Sequence, residues 1–394
     1  MESSIIILFV VAGFASLFMA WVIGAGSSGA TPFAPAVGAN VITTMRAAFV
    51  VGIFGFAGAV TQGANVSEAV GRGLIGGITL PATAVIVVLF IGAGLMAIGI
   101  KTGYPIATAF TVTGSVIGVG FALGGTPVWP KYQQIGAVWL LTPFVGGGMA
   151  YGIASVLPRS DVPERLSVAM LAGGVGAVLA NVEFVLLGPD GTPGSLVGAG
   201  QRLSGIDHWT APIVLSVAVA VAVATLVYAD IRRDEAGGLR RVLLAFGSLV
   251  AFSAGGSQVG LAVGPLLPLL DDVGMISPFV VLVGGGAGIL VGSWTGAPRM
   301  IKSLAQDYSS LGPRRSIAAL VPSFLIAQLA VLLGVPVSFN EIVVSAIIGS
   351  GAAVGGWGSV SARKILLTVG AWVASFGIAF VAGYGAMAAI ALLG

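Results

Sequence analysis

The chain has 394 residues, of which 57% are hydrophobic and only 8% charged, with a formal net charge of +3. So few charges cannot cover a water-facing surface, so the solvent of this protein is lipid. The absence of cysteine excludes disulfides and Cys-ligated metals, and the small basic excess, gathered in loops, bears on membrane orientation and gives no support to nucleic-acid binding.

Apolar stretches lie at 4–24, 46–61, 76–100, 105–124, 134–158, 166–188, 212–229, 241–254, 276–293, 316–333, 337–353 and 365–392. Helix needs about 20 residues to cross a bilayer, so these predict about twelve transmembrane segments. The first stretch has the length of a signal peptide, but it carries Glu2 and no Lys or Arg at its start, and it reads as the first membrane helix. The fold class expected is an all-α polytopic membrane protein with broken or re-entrant helices. Gly at 62 and Pro at 19 fit that class, because small residues let helices approach and Pro/Gly breaks line polar cavities.

Directly after the first stretch comes Gly26-Ser27-Ser28-Gly29-Ala30-Thr31-Pro32-Phe33-Ala34-Pro35. Ser27, Ser28 and Thr31 supply hydroxyls, and Gly26 and Gly29 leave backbone amides open to a ligand. Farther on, Tyr104-Pro105-Ile106-Ala107-Thr108-Ala109-Phe110 sets Thr108 and Thr111 in the first turns of a helix. Glu183, near Asn181, reads as a buried acid on the path or a structural one, and the lone His208, between Asp207 and Trp209, as part of an interfacial anchor. The run Val242 to Phe252 leads into a second break, Gly255-Gly256-Ser257-Gln258-Val259-Gly260, closed by Gly264-Pro265. Finally Val335-Pro336-Val337-Ser338-Phe339-Asn340-Glu341 offers Ser338, Asn340 and an acid. The two Gly-Ser breaks offer several donors and no acid, which favours an anion. The plainer readings are close helix packing for the Gly-Ser runs, N-capping for Thr108, Thr111, Ser338 and Asn340, and an interfacial, wetted position for Glu341.

The chain resembles itself. An offset of 230 residues pairs Gly26 with Gly256, Ser27 with Ser257, Pro35 with Pro265, Phe49-Val50-Val51 with Phe279-Val280-Val281 and Gly55 with Gly285; an offset of 231 pairs Gly103 with Gly334 and Pro105 with Pro336. Basic clusters fall at Arg159/Arg165, Arg232/Arg233/Arg240/Arg241, Arg299/Lys302/Arg314/Arg315 and Arg363/Lys364. Setting them all in the cytoplasm puts Asp190, Asp207, Asp271-Asp272 and both termini outside, and makes the two halves inverted in topology. The expected organisation is a first inverted repeat over 1–158, connecting helices and a cytoplasmic loop over 159–236, and a second inverted repeat over 237–394.

The residues Ala25 to Phe33 with Val37-Gly38-Ala39, and Phe252 to Pro265, resemble the two signatures of the inorganic phosphate transporter (PiT) family, GANDVANAF and FSHGANDVANAIGP. Gly334-Val335-Pro336-Val337-Ser338 is similar to that family's GLPVS(S/T)TH, Gly103 to Phe110 is its counterpart in the first half, and Gly63 to Glu68 also has the family's look. The departures are at the charges. Ser28 and Gln258 stand where the family has Asp, Ser27 and Ser257 where it has Asn, Thr31 and Leu261 where it has a later Asn, Gly55 and Leu320 where it has Glu, and Phe110 and Glu341 where it has His.

What the resemblance implies is a secondary transporter of inorganic phosphate, an oxyanion symporter working by alternating access in the cell membrane, and not an enzyme. Ser27, Ser28, Thr31, Thr108, Ser257, Gln258, Ser338 and Asn340 are its expected substrate-binding residues and Glu341 its proton-coupling candidate. No cofactor or metal is expected. With neutral Ser28 and Gln258 at the Asp positions, proton coupling is favoured over sodium. Lipid is the surrounding partner, and homo-oligomerisation stays open. The alternatives are a permease for sulfate or another oxyanion, and a relative that senses or scaffolds without transport. An intramembrane serine hydrolase lacks a base near Ser27 or Ser257.

Overall fold

The computed structural model describes residues 2–393 apart from 158–162, 186, 189–192, 206–208 and 274–275. Arg159, Asp190, Asp207 and His208 lie outside the described residues. The chain opens with α1 (Glu2–Gly26), α2 (Ala34–Gly38), α3 (Thr44–Gln62), α4 (Ala64–Arg72), α5 (Ala82–Thr102), α6 (Thr108–Ala122) and α7 (Trp129–Val156). Then come α8 (Glu164–Asn181), α9 (Leu196–Ser204) and α10 (Ala211–Arg233). The last run is α11 (Glu235–Val263), α12 (Leu267–Val273), α13 (Pro278–Thr295), α14 (Ala297–Gln306), α15 (Pro313–Leu332), α16 (Phe339–Gly355) and α17 (Ala362–Leu393). A two-residue antiparallel pair, β1 (Ile75–Gly76) with β2 (Thr126–Pro127), is the minor non-helical element.

Prolines sit in the first turn of α7, α10, α13, α14 and α15, where the missing N–H costs no helical bond. Gly103 (φ 76°) and Gly334 (φ 56°) terminate α5 and α15 in the left-handed region that residues with a Cβ avoid. The order long, short, long, short, long, medium, long recurs, with 25, 5, 19, 9, 21, 15 and 28 residues in α1–α7 and 29, 7, 18, 10, 20, 17 and 32 in α11–α17. The packing runs between the two series: α1 lies on α13 and α3 on α11, α6 on α17 and α7 on α16. Glycine makes these crossings close. A Cβ on Gly58 would collide with the carbonyl of Phe252, one on Gly255 with that of Gly55, and one on Gly24 with that of Ile289.

Among the described residues, nine helices are long and apolar enough to cross a membrane. Twelve full spans are not established, because α6 and α16 are short at 15 and 17 residues and the 18-residue α8 is not among the nine. Large apolar side chains face outward along α10 and α17, with Leu226 at 70% and Leu366 at 74% exposure, as lipid contact requires. This is a nearly all-helical, multi-pass membrane protein. The stretch 166–188 is not one helix: α8 stops at Asn181, and Glu183 lies beyond it, exposed instead of buried. Gly55 on α3 and Leu320 on α15 occupy helices that differ in their place in the repeated order, where the counterpart of α3 is α13.

Candidate functional site

The first break forms as expected. The last helical bond of α1 runs from Ser27 N to Ile23 O (2.9 Å), after which Ala30 N and Thr31 N both turn back on Ser27 O at 2.9 and 3.0 Å. Pro32 offers no N–H to continue a helix, and Gly29 is needed because a Cβ there would strike the carbonyl of Gly24. The second break does not form: α11 runs without interruption from Glu235 to Val263, through Gly255-Gly256-Ser257-Gln258-Val259-Gly260. Its glycines serve packing against α3 and α4, Gly260 lying against Val66 and Ser67, and no proline occurs before Pro265, where the helix tightens into a 3-10 turn. So the Gly-Ser stretches supply one helix C-terminus and one unbroken helix face, not two helix starts.

The helix starts come from the other pair of segments. Residues 103–107 and 333–338 are non-helical between α5 and α6 and between α15 and α16. The carbonyls of these largely buried segments need partners, and six of them, at matching positions of the two segments, are capped by side chains. In the first, Gly103 O accepts from Ser303 Oγ (3.1 Å), Pro105 O from Trp372 Nε1 (2.8 Å) and Ile106 O from Asn340 Nδ2 (2.7 Å). In the second, Gly334 O accepts from Lys131 Nζ (3.0 Å), Pro336 O from Trp139 Nε1 (2.8 Å) and Val337 O from Gln258 Nε2 (2.5 Å).

These bonds join all four segments into one network. Ser27 Oγ donates to Gln258 Oε1 (3.1 Å), and Asn340 Nδ2 also reaches Gly26 O (3.2 Å). Thr31 Oγ1 donates to Ser27 O at 3.2 Å, and Ser28 Oγ to Ile23 O at 3.5 Å. Ser27, Ser28, Thr31, Thr108, Ser257, Gln258, Ser338 and Asn340 all have 0% exposure and Glu341 has 1%, which removes the wetted interfacial reading of Glu341. Neither Ala107 nor Ser338 caps its helix through a side chain, and Thr111 Oγ1 folds back onto Ala107 O at 3.0 Å.

Seven buried side-chain oxygens among the described residues have no hydrogen-bond partner, and five belong to this group: Thr108 Oγ1, Ser257 Oγ, Ser338 Oγ, Asn340 Oδ1 and Glu341 Oε2. Leaving each unpaired costs about 1–3 kcal/mol, and all five belong to, or lie within two residues of, members of the network. Three are hydroxyls that can donate, and two are acceptors.

Sequence reading missed the two tryptophans, Lys131 and a neighbouring amide pair. Gln328 Nε2 donates to Ser253 Oγ (2.6 Å), one turn before Ser257, and to Gln62 Oε1 (3.3 Å). Both glutamines line a cavity of about 480 Å³ together with Asn65, Asn181 and the exposed Glu183. A sequence signal for the tryptophans existed: an offset of 233 pairs Lys131 with Lys364, Trp139 with Trp372, Tyr151 with Tyr384 and Gly152 with Gly385.

A protein of Thermococcus kodakarensis named as a candidate phosphate permease is 27% identical over 355 residues, covering 86% of each chain. Inorganic phosphate transporter 2-1, chloroplastic, of Arabidopsis thaliana is 24% identical over 416 residues, covering 90% of this chain and 68% of its own. A solved structure described as the sodium-dependent phosphate transporter shares the fold with a TM-score of 0.80 at 21% identity, over 98% of this chain and 99% of that one. The model of the phosphate transporter family, whose members are transporters and not enzymes, matches residues 5–383, and the chain belongs to that family.

Proposed function

We propose that this protein carries inorganic phosphate across the cell membrane by alternating access, with residues 1–158 and 237–394 as inverted halves and 159–236 joining them. The observation that carries the reading is the set of five unpaired buried oxygens from both halves, beside the network of Ser27, Gln258 and Asn340. Thr108, Ser257 and Ser338 donate to phosphate oxygens, helped by the starts of α6 and α16. Asn340 Oδ1 can only accept from a ligand, and phosphate near neutral pH still carries a protonated oxygen whereas sulfate does not. That asymmetry favours phosphate over sulfate. Ser28 and Thr31 hold the turn that presents Ser27.

Neutral Ser28 and Gln258 give a coupling cation no carboxylate, and Glu341 is the acid within the group, so a proton is the coupling ion in this reading. The packing of α1 on α13 and of α3 on α11 supports a pair of interleaved halves. Basic side chains paired at one end, Arg314 with Glu164 and Lys364 with Asp307, support a cytoplasmic face there and both termini outside. The test is uptake of radiolabelled phosphate into proteoliposomes under an imposed proton or sodium gradient, with sulfate as competitor. Uptake driven by the proton gradient and resistant to sulfate is expected; absence of uptake under every gradient rejects the transport reading.

A further inference from the structure

Pro105 and Pro336 precede Thr108 and Ser338 by three and two residues, and each can offer the backbone network only a carbonyl. Each carbonyl is held by one indole N–H, from Trp372 and Trp139, both at 2.8 Å. The holders are exchanged between the two helix series. Trp139 and Lys131, on α7, grip the segment before α16, whereas Trp372 and Lys364, on α17, grip the segment before α6, Lys364 Nζ lying 4.2 Å above the Tyr104 ring.

Trp139 does more than its counterpart. Its ring stacks on Phe110 with centroids 3.9 Å apart, and meets Phe376 edge-on at 6.1 Å. Phe110 is two residues beyond Thr108, and Pro336 is two residues before Ser338, so one side chain spans the starts of both short helices. We infer that Trp139 and Trp372 are positioning residues of the transport site, each fixing through a proline carbonyl the hydroxyl that begins the opposite half's short helix, with Trp139 coupling the two. This rests on the phosphate-transport reading for its substrate, while the positioning itself is geometric. An indole has a single donor and two side-chain torsions, so it holds a carbonyl in one place with little freedom. Releasing the carbonyl leaves it unpaired in an apolar setting, and the segment shifts to find another donor. The hydroxyl then leaves its place, and apparent affinity falls before protein stability does.

The experiment uses the full chain in proteoliposomes with Trp139→Phe and Trp372→Phe, and Trp357→Phe as control, since Trp357 is 73% exposed. The first arm measures phosphate uptake: KM is expected to rise about tenfold in each site variant with Vmax changed less than threefold, and to stay put in the control. The second arm needs no substrate. The natural chain has no cysteine, so Thr108→Cys and Ser338→Cys are clean reporters of position, read by the rate of modification with a small thiosulfonate. Trp372→Phe is expected to change the rate at position 108 at least fivefold and Trp139→Phe that at 338, with a smaller effect of Trp139→Phe at 108 through Phe110. Reporter rates unmoved by either substitution overturn the inference, whatever the uptake data show. Absent uptake in the natural chain with responsive reporters rejects the substrate and leaves the positioning standing. If Trp139→Phe does not fold, the Trp372 reporter pair decides alone.

Discussion

Ser27 donates its hydroxyl to Oε1 of Gln258 at 3.1 Å across 231 residues of sequence, while the amide nitrogen of the same Gln258 holds Val337 O at 2.5 Å. One neutral side chain thus ties the end of α1 to the approach of α16. In the family signature this position is an Asp, which accepts but cannot donate when ionised. The glutamine therefore puts a neutral bridge where that signature has a charge.

Gln258→Ala is expected to lower phosphate uptake roughly 5- to 100-fold, because Val337 O loses its donor at a cost of about 1–3 kcal/mol. Ser27→Ala leaves that carbonyl bonded and has the smaller effect. Residues in direct contact do not act independently, so the double variant falls short of the product of the two single losses. Initial uptake rates for the three variants decide it, and full additivity speaks against a shared bridge.

Glu341→Gln is expected to retain phosphate exchange across equilibrated proteoliposomes while losing acceleration by an inward proton gradient. The amide keeps the size and the acceptor oxygen of the side chain but carries no titratable proton. Gradient-driven uptake persisting at the natural level in Glu341→Gln moves proton coupling elsewhere in the chain.

Gly58→Leu is expected to prevent stable assembly, since the backbone of α11 blocks the space around any Cβ and overpacking costs at least about 1–3 kcal/mol. Gly148→Ala and Gly152→Ala meet nothing within 4 Å and are expected to be neutral. The readout is the monodisperse yield in detergent and its thermal midpoint.

Tyr308 lies between α14 and α15, outside the spanning helices, and is 1% exposed. Burial pushes its hydroxyl well above the ordinary tyrosine range, the 2.8 Å bond with Thr368 opposes that shift, and the Asp307 carboxylate adds to it. A raised value in the folded chain means that its stabilising effect is whole below the unfolded value of about 10 and is lost as pH climbs from there. The thermal midpoint is therefore expected to drop above about pH 10, and less steeply in Tyr308→Phe, which also loses about 1 kcal/mol at neutral pH.

The segments ending in Gly103 and Gly334 were legible because a glycine followed by X-Pro stops a helix by local rules alone. The nine-part polar group was legible as a list of residues for a similar reason: hydroxyls and amides are conspicuous in an apolar chain. The fate of Gly255-Gly256-Ser257 was not. In sequence it looks like Gly26-Ser27-Ser28, but whether glycines interrupt a helix or admit a neighbour depends on Gly55 and Ser67, far away along the chain. Long-range capping was hidden likewise, since nothing near Asn340 announces that its amide reaches both Gly26 O and Ile106 O.

The interleaving of α1 with α13, and of α3 with α11, has a consequence for biogenesis. When the ribosome has delivered α1–α7, the glycine faces of α1 and α3 have yet to meet the backbones that fill them, because those backbones belong to chain still unmade. The nascent first half must wait in the bilayer with its tightest surfaces bare, sheltered by lipid or by the insertion machinery. Assembly is then a late, concerted closure of two incomplete parts, and separately translated fragments should find each other by that same vacancy.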